Sequence, residues 1–437
     1  MEFRGFVTRS CAAFILTYLL VSISPAQTSS VHGLRAPSPH QMEPEDAPLV
    51  PSPGDWQQLA KFVSGRGLAT DFFGNSVGIS GDTVVVSSET TYVNAIGGFV
   101  FLKSTQGWGN TPPVAGLKLP SPVDRILVFV AIDADTIAIG CPSYGPGYPS
   151  YVYVFVKPAT GWANMTPTAV LTPSDTIDGY FGRSLSVSGN TIVVGDSGYN
   201  SSGGAVYVYV KPASGWTDMM ETAKLTASDG ILNDLLGNSV SISGTTIAAG
   251  APQLDSGTTG KAYVFVEPAQ GWTSTTQTAE LTVPDALEVD IGSSISTNGS
   301  LVIAGAPSFS NGAPGAAYLF VKPPSGWTNM TETATLTPGD GQWDYAEFGG
   351  SVAVSGEFVV AGSSRRGAPP FTGEGGVYVF KEPPTGWQNL SGLTVLTGSD
   401  MRYYSLLGGS VSMSGNVLAT GAYTFSSAGA AYVFGLP

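Results

Sequence analysis

The string GAVYVYVKPASGW, at residues 204–216, comes back elsewhere in the chain as YVFVKPATGW, YVFVEPAQGW, YLFVKPPSGW and YVFKEPPTGW. A catalytic motif is needed once, so a string used this often is architecture. The rest of each repeat is equally regular. A Phe-Gly pair or a relative opens it: Phe73-Gly74, Ile126-Leu127, Phe181-Gly182, Leu236-Gly237, Ile291-Gly292, Phe348-Gly349 and Leu407-Gly408. Thirteen residues after the second member stands Ser87, Gly140, Gly195, Gly250, Gly305, Gly362 or Gly421, and that distance never varies.

The window between these landmarks reads like SLSVSGNTIVVG, with alternating polar and apolar residues, a Ser-Gly-Asn turn and a β-branched run. Period two on both sides of a short turn predicts a tight hairpin. Tyr207-Val208-Tyr209-Val210 is a third strand, and Ala223-Lys224-Leu225-Thr226, seven residues after the Trp, is a fourth. Pro212 lacks an N–H and ends the third strand, while Gly215 permits the positive φ of a turn. Trp216 and its counterparts Trp108, Trp162, Trp272, Trp327 and Trp387 are expected to fill the wedges between units. Burying about 200 Å² of indole at about 25 cal/mol per Å² gives about 5 kcal/mol as an upper bound.

Four short strands in a unit of about 55 residues are the period of a propeller blade. The expected fold is all-β: a seven-bladed β-propeller of four-stranded antiparallel blades over residues 55–437. The last repeat stops after its third strand, Tyr432-Val433-Phe434, and DWQQLAKFV near residue 56 resembles a fourth strand with no unit before it. The N-terminal strand is therefore expected to complete the C-terminal blade, removing a free edge.

Ahead of the repeats, Arg4 and Arg9 precede an apolar run from Cys11 to Ile23 and then Ser24-Pro25-Ala26, which reads as a signal peptide over 1–26, with an uncleaved anchor as the alternative. Residues 27–54 hold six prolines and read as a disordered linker or a propeptide. The formal net charge is −14 and becomes −15 without Glu2, Arg4 and Arg9. That balance argues against nucleic acid and anionic membranes as partners. Cys141 would then be the one cysteine left, so packing rather than a disulfide stabilises the chain. A secreted or cell-surface monomer is expected, with no membrane insertion after cleavage.

The pairing of Phe-Gly with Gly-Ala-Pro, as in LGNSVSISGTTIAAGAP, resembles the FG-GAP repeats of integrin α-subunit propellers and of their bacterial and secreted relatives. The resemblance implies a seven-bladed propeller and a role in extracellular binding. In the integrin type, an Asp-x-Asp-x-Asp-Gly loop inside this window holds calcium. Here the window has only SGDT, DADT, SGNT, SGTT, TNGS, SGEF or SGNV, so calcium is not carried over to those positions.

Loops between first and second strands, and between third and fourth, keep constant lengths. The second-to-third loops and the crossovers between blades do not, and in an up-down blade these share one face. Recognition is expected there. On that face Trp343 and Tyr345 lie in the crossover into blade six, Arg365 and Arg366 in its longest loop, and Arg402, Tyr403 and Tyr404 in the crossover into blade seven. Trp, Tyr and Arg dominate binding hot spots and sugar stacking, so these seven are the candidate ligand-binding residues. Tyr144, Tyr148 and Tyr199 form a second cluster. The crossovers also carry Asp175, Asp178, Asp229, Asp234, Asp285, Asp290, Asp340, Asp344 and Glu347. Two readings stand for them: an acidic rim that takes up calcium, with Asp229, Asp234, Asp340 and Asp344 as candidate ligands, or turn capping by aspartate. Asn164, Asn200, Asn298, Asn329 and Asn389 are glycosylation sequons, three of them two residues after the repeat Trp.

Both histidines, His32 and His40, precede the repeats, which excludes an imidazole-based triad or a His-ligated metal within them. No cofactor is expected. The leading expectation is a non-catalytic binding or adhesion module for a carbohydrate or extracellular protein. Its rivals are a glycan-active hydrolase or lyase using Asp, Glu and Tyr, and a purely structural surface protein.

Overall fold

The computed structural model describes residues 56–65, 72–88, 96–120, 127–143, 149–175, 180–198, 203–253, 259–284, 290–307, 315–340, 347–367, 373–392, 394–423 and 429–436. The expected signal peptide and Pro-rich segment lie outside these residues. Among them every regular element is a β-strand, and the strands form seven sheets. Blade four shows the pattern: Ser239–Ser243, Thr246–Ala251, Lys261–Val266 and Ala279–Thr282 pair antiparallel in that order. The first strands, Val77–Ser80, Phe129–Asp133, Ser184–Ser188, Ser239–Ser243, Ser294–Thr297, Phe348–Ser355 and Leu407–Ser414, pack each on the next and the last on the first. They therefore surround the axis of a seven-bladed propeller. In the seventh sheet, Gln57–Phe62 runs antiparallel to Ala430–Gly435, with Gln57 opposite Gly435 and Phe62 opposite Ala431.

The expectation of four strands per blade falls one short in blades two to five. After its Trp, each following repeat contributes a short parallel strand to the outer edge of the blade before it. Met219–Met220 lies beside Ala169–Thr172, Thr275–Thr276 beside Ala223–Thr226, Met330–Thr331 beside Ala279–Thr282, and Leu390–Gly392 beside Ala334–Pro338. An outer strand otherwise presents unpaired N–H groups to solvent. The residue two after each Trp completes the seam. The side chains of Asn110, Asn164, Asp218, Ser274, Asn329 and Asn389 accept the backbone N–H of Lys61, Gly116, Val170, Lys224, Glu280 and Thr335 at 2.7–3.0 Å. Three sequon asparagines thus have a structural task that Asp218 and Ser274 perform equally.

Seven apolar cores lie between blades, one per interface, and each holds one tryptophan. Trp216, for example, packs with Val152 and Val154 of blade two and Tyr207 and Tyr209 of blade three. The wedge between blades six and seven is filled by Trp56, from the strand at the other end of the described chain, edge-on to Phe358 at 5.5 Å. Its different spacing follows, since Trp56 directly precedes its strand.

The fixed 13-residue window has its cause at the same interfaces. Within a blade, the Phe-Gly glycine donates its N–H to the carbonyl of the second landmark, as from Gly237 to Gly250 at 3.0 Å, which closes the hairpin and sets its length. Between blades, that glycine's carbonyl abuts the second-landmark glycine of the preceding blade. A Cβ added to Gly250 would stand 2.0 Å from the Gly292 carbonyl oxygen, and the other five such pairs give 1.8 to 2.1 Å. The Phe-Gly glycines sit at φ 84 to 91°, where L side chains are strained. The interface between blades one and two lacks both glycines, having Ser87 and Leu127 at these two sequence positions. The two departures occur together because the close approach needs both partners.

Gly250→Ala is therefore expected to cost about 3 kcal/mol, the upper range for forcing atoms into a packed interface, whereas Gly109→Ala, with no atom near its added Cβ, stays within about 0.5 kcal/mol. Urea unfolding of both variants checks the contrast.

Candidate functional site

Asp175, Asp229, Asp340 and Asp400 each follow the fourth strand of one blade and accept a hydrogen bond from a tyrosine on the third strand of the next. The donors are the hydroxyls of Tyr207 (2.8 Å), Tyr263 (3.0 Å), Tyr378 (2.7 Å) and Tyr432 (2.8 Å). A cation closes each cluster: Lys224 on Asp175, Lys261 on Asp229 at 2.7 Å, Arg366 on Asp340 at 2.8 Å and Lys61 on Asp400. Burial pushes the Asp229 carboxyl up, but the hydrogen bonds from Lys261 and Tyr263 outweigh it and hold it below the ordinary range. Burial and then Asp229 raise the Tyr263 hydroxyl in turn. These aspartates are thus clamps between blades.

Asp234 is spent differently. It is buried, accepts the Ile231 N–H at 2.7 Å on one oxygen and the Gln253 side-chain amide on the other. Of the four candidate calcium ligands, Asp229, Asp234 and Asp340 have their carboxylates engaged by protein donors, and Asp344 lies outside the described residues. Among the described residues no cluster of three potential metal ligands occurs.

Of the candidate ligand-binding residues, Trp343 and Tyr345 also lie outside the described residues, as do Tyr144, Tyr148, Tyr199, Asn200, Asp178 and Asp285. Arg365 pairs with Glu347 at 3.0 Å, and Ser364 donates to the same carboxylate at 2.8 Å. Burial raises the Glu347 carboxyl despite both partners. Arg366 belongs to the Asp340 clamp. Arg402, Tyr403 and Tyr404 form an exposed tip, with both rings just over half exposed and packed edge to face at 4.9 Å between centroids. The structure joins this tip to the arginine loop: Leu406 N–H donates to the Gly373 carbonyl at 3.0 Å and Leu407 N–H to that of Glu374 at 3.2 Å, while Gly375 N–H donates to Arg366.

The tip has a twin. SDGILNDLLG, from Ser228, and SDMRYYSLLG, from Ser399, are of equal length and adopt one conformation. Asn233 and Tyr404 have φ 72 and 60°, and Leu235 and Leu406 have φ 59 and 57°. The Ile231 N–H is held by Asp234 and the equivalent Arg402 N–H by Ser405 at 2.8 Å. The exposed residues are Ile231 and Leu232 in one and Arg402, Tyr403 and Tyr404 in the other. One frame, pinned from below, carries two unrelated tips. Equal length between landmarks was the available signal for Ile231 and Leu232.

Asp196 was not anticipated. It follows the Gly195 landmark where Ala251, Ala306 and Ala422 stand in other blades, and is 1% exposed. Oδ1 accepts the Gly198 N–H at 3.0 Å, and Oδ2 has no partner. Burial pushes its carboxyl up to about 6, with Asp175 adding to the rise and Gly198 and Lys224 opposing it. Asp290 is likewise raised by burial to about 6.

These observations define a seven-bladed β-propeller whose crossovers and second-to-third-strand loops are the variable elements. Residues 56–97, 165–209, 219–265 and 330–380 match the family described as FG-GAP repeat. The chain carries FG-GAP repeats, and they form blades of a seven-bladed propeller. Among solved structures it is similar to the WD40 β-propeller domain of Doa1, with a TM-score of 0.50 and 11% identity over 87% of this chain and 96% of that one. Raptor of Chaetomium thermophilum gives a TM-score of 0.52 and 10% identity over 88% of this chain and 29% of that one. At such identities the likeness is of fold alone. No curated protein matches the chain.

Because the folded state binds the Asp196 proton more tightly than the unfolded state, whose carboxyl has its ordinary value, stability falls as pH rises from about 4 to about 6 and levels off above. Asp196→Asn keeps the acceptor for Gly198 and removes the buried charge. Urea unfolding should find it more stable than the parent at pH 7, by up to about 3 kcal/mol, with the gap closing near pH 4.

Proposed function

We propose that this chain is a secreted or cell-surface, non-catalytic binding module that recognises a carbohydrate or an extracellular protein through its crossover face. An FG-GAP propeller is a fold of the binding and adhesion type, and among the described residues no helix is long and apolar enough to cross a membrane. The observation that carries the reading is Tyr404. It occupies a left-handed backbone position, φ 60°, where the twin crossover uses Asn233. Asparagine tolerates that region through local hydrogen bonding, whereas a tyrosine there costs on the order of 1 kcal/mol. A residue that strains its own frame yet leaves its ring half in solvent contributes little to folding. Display to a ligand accounts for it.

The constant turns on the opposite face give the comparison. There the chain spends glycines where φ is positive, except for the small Ala134 at φ 48°, and among the described residues no exposed aromatic is held against its backbone preference.

The test is an exchange of tips in the full chain, Arg402→Ile with Tyr403→Leu and Tyr404→Asn, screened beside the parent against glycans and extracellular proteins. The exchanged protein should melt no lower than the parent, since the twin frame already accommodates those residues, and should lose the parent's saturable binding. Undiminished binding would remove the tip as the site. Turnover of a glycan would establish the hydrolase or lyase reading instead, and an absence of binding by the parent would leave the structural one.

A further inference from the structure

We propose that the Arg402-Tyr403-Tyr404 tip binds a glycan bearing uronic-acid carboxylates. The inference rests on the reading of this tip as a recognition element and adds the class of ligand. Arg402 is exposed, and its guanidinium makes no ion pair among the described residues; the hydrogen bond that ties it down is from its backbone N–H to Ser405 Oγ. Its neighbours on this face are neutralised. Arg365 is paired with Glu347 and Arg366 with Asp340. Asp400, two residues away, is hydrogen-bonded by Lys61 and by the Tyr432 hydroxyl, and Arg402 adds the last and smallest of the contributions that lower its carboxyl, acting through space without an ion-pair contact.

Arg183 is also exposed with no ion pair among the described residues, so what sets Arg402 apart is its place in sequence beside two solvent-facing rings. A planar guanidinium matches a carboxylate with two parallel N–H···O bonds, a geometry that an ammonium or a neutral amide does not offer. Tyr403 and Tyr404 stand at 72° to each other and make a corner of aromatic surface. The C–H face of a pyranose packs against such a ring while its hydroxyls stay in water. A uronic acid combines both features in one residue: a carboxylate for the guanidinium and a C–H face for the ring.

Size favours a sugar over a protein here. A stable protein interface covers about 800 Å² on each side around a buried cluster. Among the described residues this tip is three residues bordered by closed ion pairs. The exposed apolar tip Ile231-Leu232 leads into blade four, three blades away around the ring. A monosaccharide unit needs no more than the tip provides.

The experiment uses the full chain, oligogalacturonate as probe and its methyl-esterified form as the neutral counterpart, with affinities measured by calorimetry. The acid form should bind about tenfold tighter than the ester, the difference made by a charge-assisted bidentate contact, and added salt should erode that preference. Arg402→Gln should abolish the preference while leaving ester binding in place, and Tyr403→Ala with Tyr404→Ala should weaken both. Ile231→Ala with Leu232→Ala should leave both unchanged. Equal affinity for acid and ester, a preference that survives in Arg402→Gln, or no binding of oligogalacturonate would each overturn the uronate inference. The reading of the tip itself fails separately, if the tyrosine variant leaves untouched whatever ligand the parent is found to bind. A protein ligand lost in that variant would sustain the tip and overturn the glycan.

Discussion

At six of the seven blade interfaces a glycine carbonyl of one blade lies against the Cα of a glycine in the blade before it, so close that no Cβ fits between. On the same carbonyl falls a hydroxyl of the earlier blade: Ser239 donates to Gly292 at 2.7 Å, Ser294 to Gly349 at 2.8 Å, Ser351 to Gly408 at 2.7 Å and Ser410 to Gly74 at 3.1 Å. This contact sets how near the blades stand at the axis. The tryptophan wedges, the outer seam and the crossover clamps all assume that spacing. It also explains why the Phe-Gly and Gly-Ala-Pro motifs travel together, since each glycine of a pair belongs to a different blade and neither tolerates a side chain while the other stays.

The first strands pose a second problem that the same hydroxyl chemistry resolves. Each has a ladder partner on one side only, so its other edge would leave N–H groups unpaired near the axis. Ser184, Ser186 and Ser188 accept the N–H groups of Val240, Ile242 and Gly244 in the next blade, at 2.7, 3.2 and 3.1 Å. Ser412 and Ser414 do the same for Ile79 and Gly81 across the junction of blades seven and one, at 3.2 and 3.0 Å. The alternation of serine with apolar residues in SLSVS thus places a hydroxyl toward the next blade at each turn of the period, and one short side chain stands in for a strand. Asp133 replaces serine once and accepts Gly189 N–H at 2.7 Å.

Hairpins, third strands, tryptophan wedges and blade number were legible because they repeat at fixed spacing, and repetition converts weak local preferences into a strong pattern. The pieces that escaped join one repeat to another. The parallel two-residue strands are too short to show a period, and the acceptors after each Trp change identity among Asn, Asp and Ser while keeping an oxygen in place. The aspartate clamps looked like turn chemistry because their tyrosine and lysine partners lie one repeat further on. A departure in one repeat can be explained only by its neighbour. Glu221 and Gln277 accept the backbone N–H of Ser174 and Ser228 from the preceding crossovers, at 2.9 and 2.8 Å. Pro284 stands in the corresponding place before Glu332 and has no N–H to give, and Glu332 Oε2 is buried without a partner.

Function was less legible because the residues that bear on it are those that leave the consensus. Sequence singled out Arg365, Arg366, Arg402, Tyr403 and Tyr404 by composition alone, which does not separate an arginine committed to Glu347 or Asp340 from one left with its guanidinium in water. The twin crossover makes a further separation, between frame and tip. Leu235 and Leu406, at matching positive φ, turn the chain into the buried Leu-Gly pair, and Asp234 and Ser405 pin the entry from within. With those positions satisfied, the residues at the crest differ between the twins while the frame beneath them keeps its conformation. Variation at the crest then costs the propeller nothing at its axis, where the glycine contacts are made.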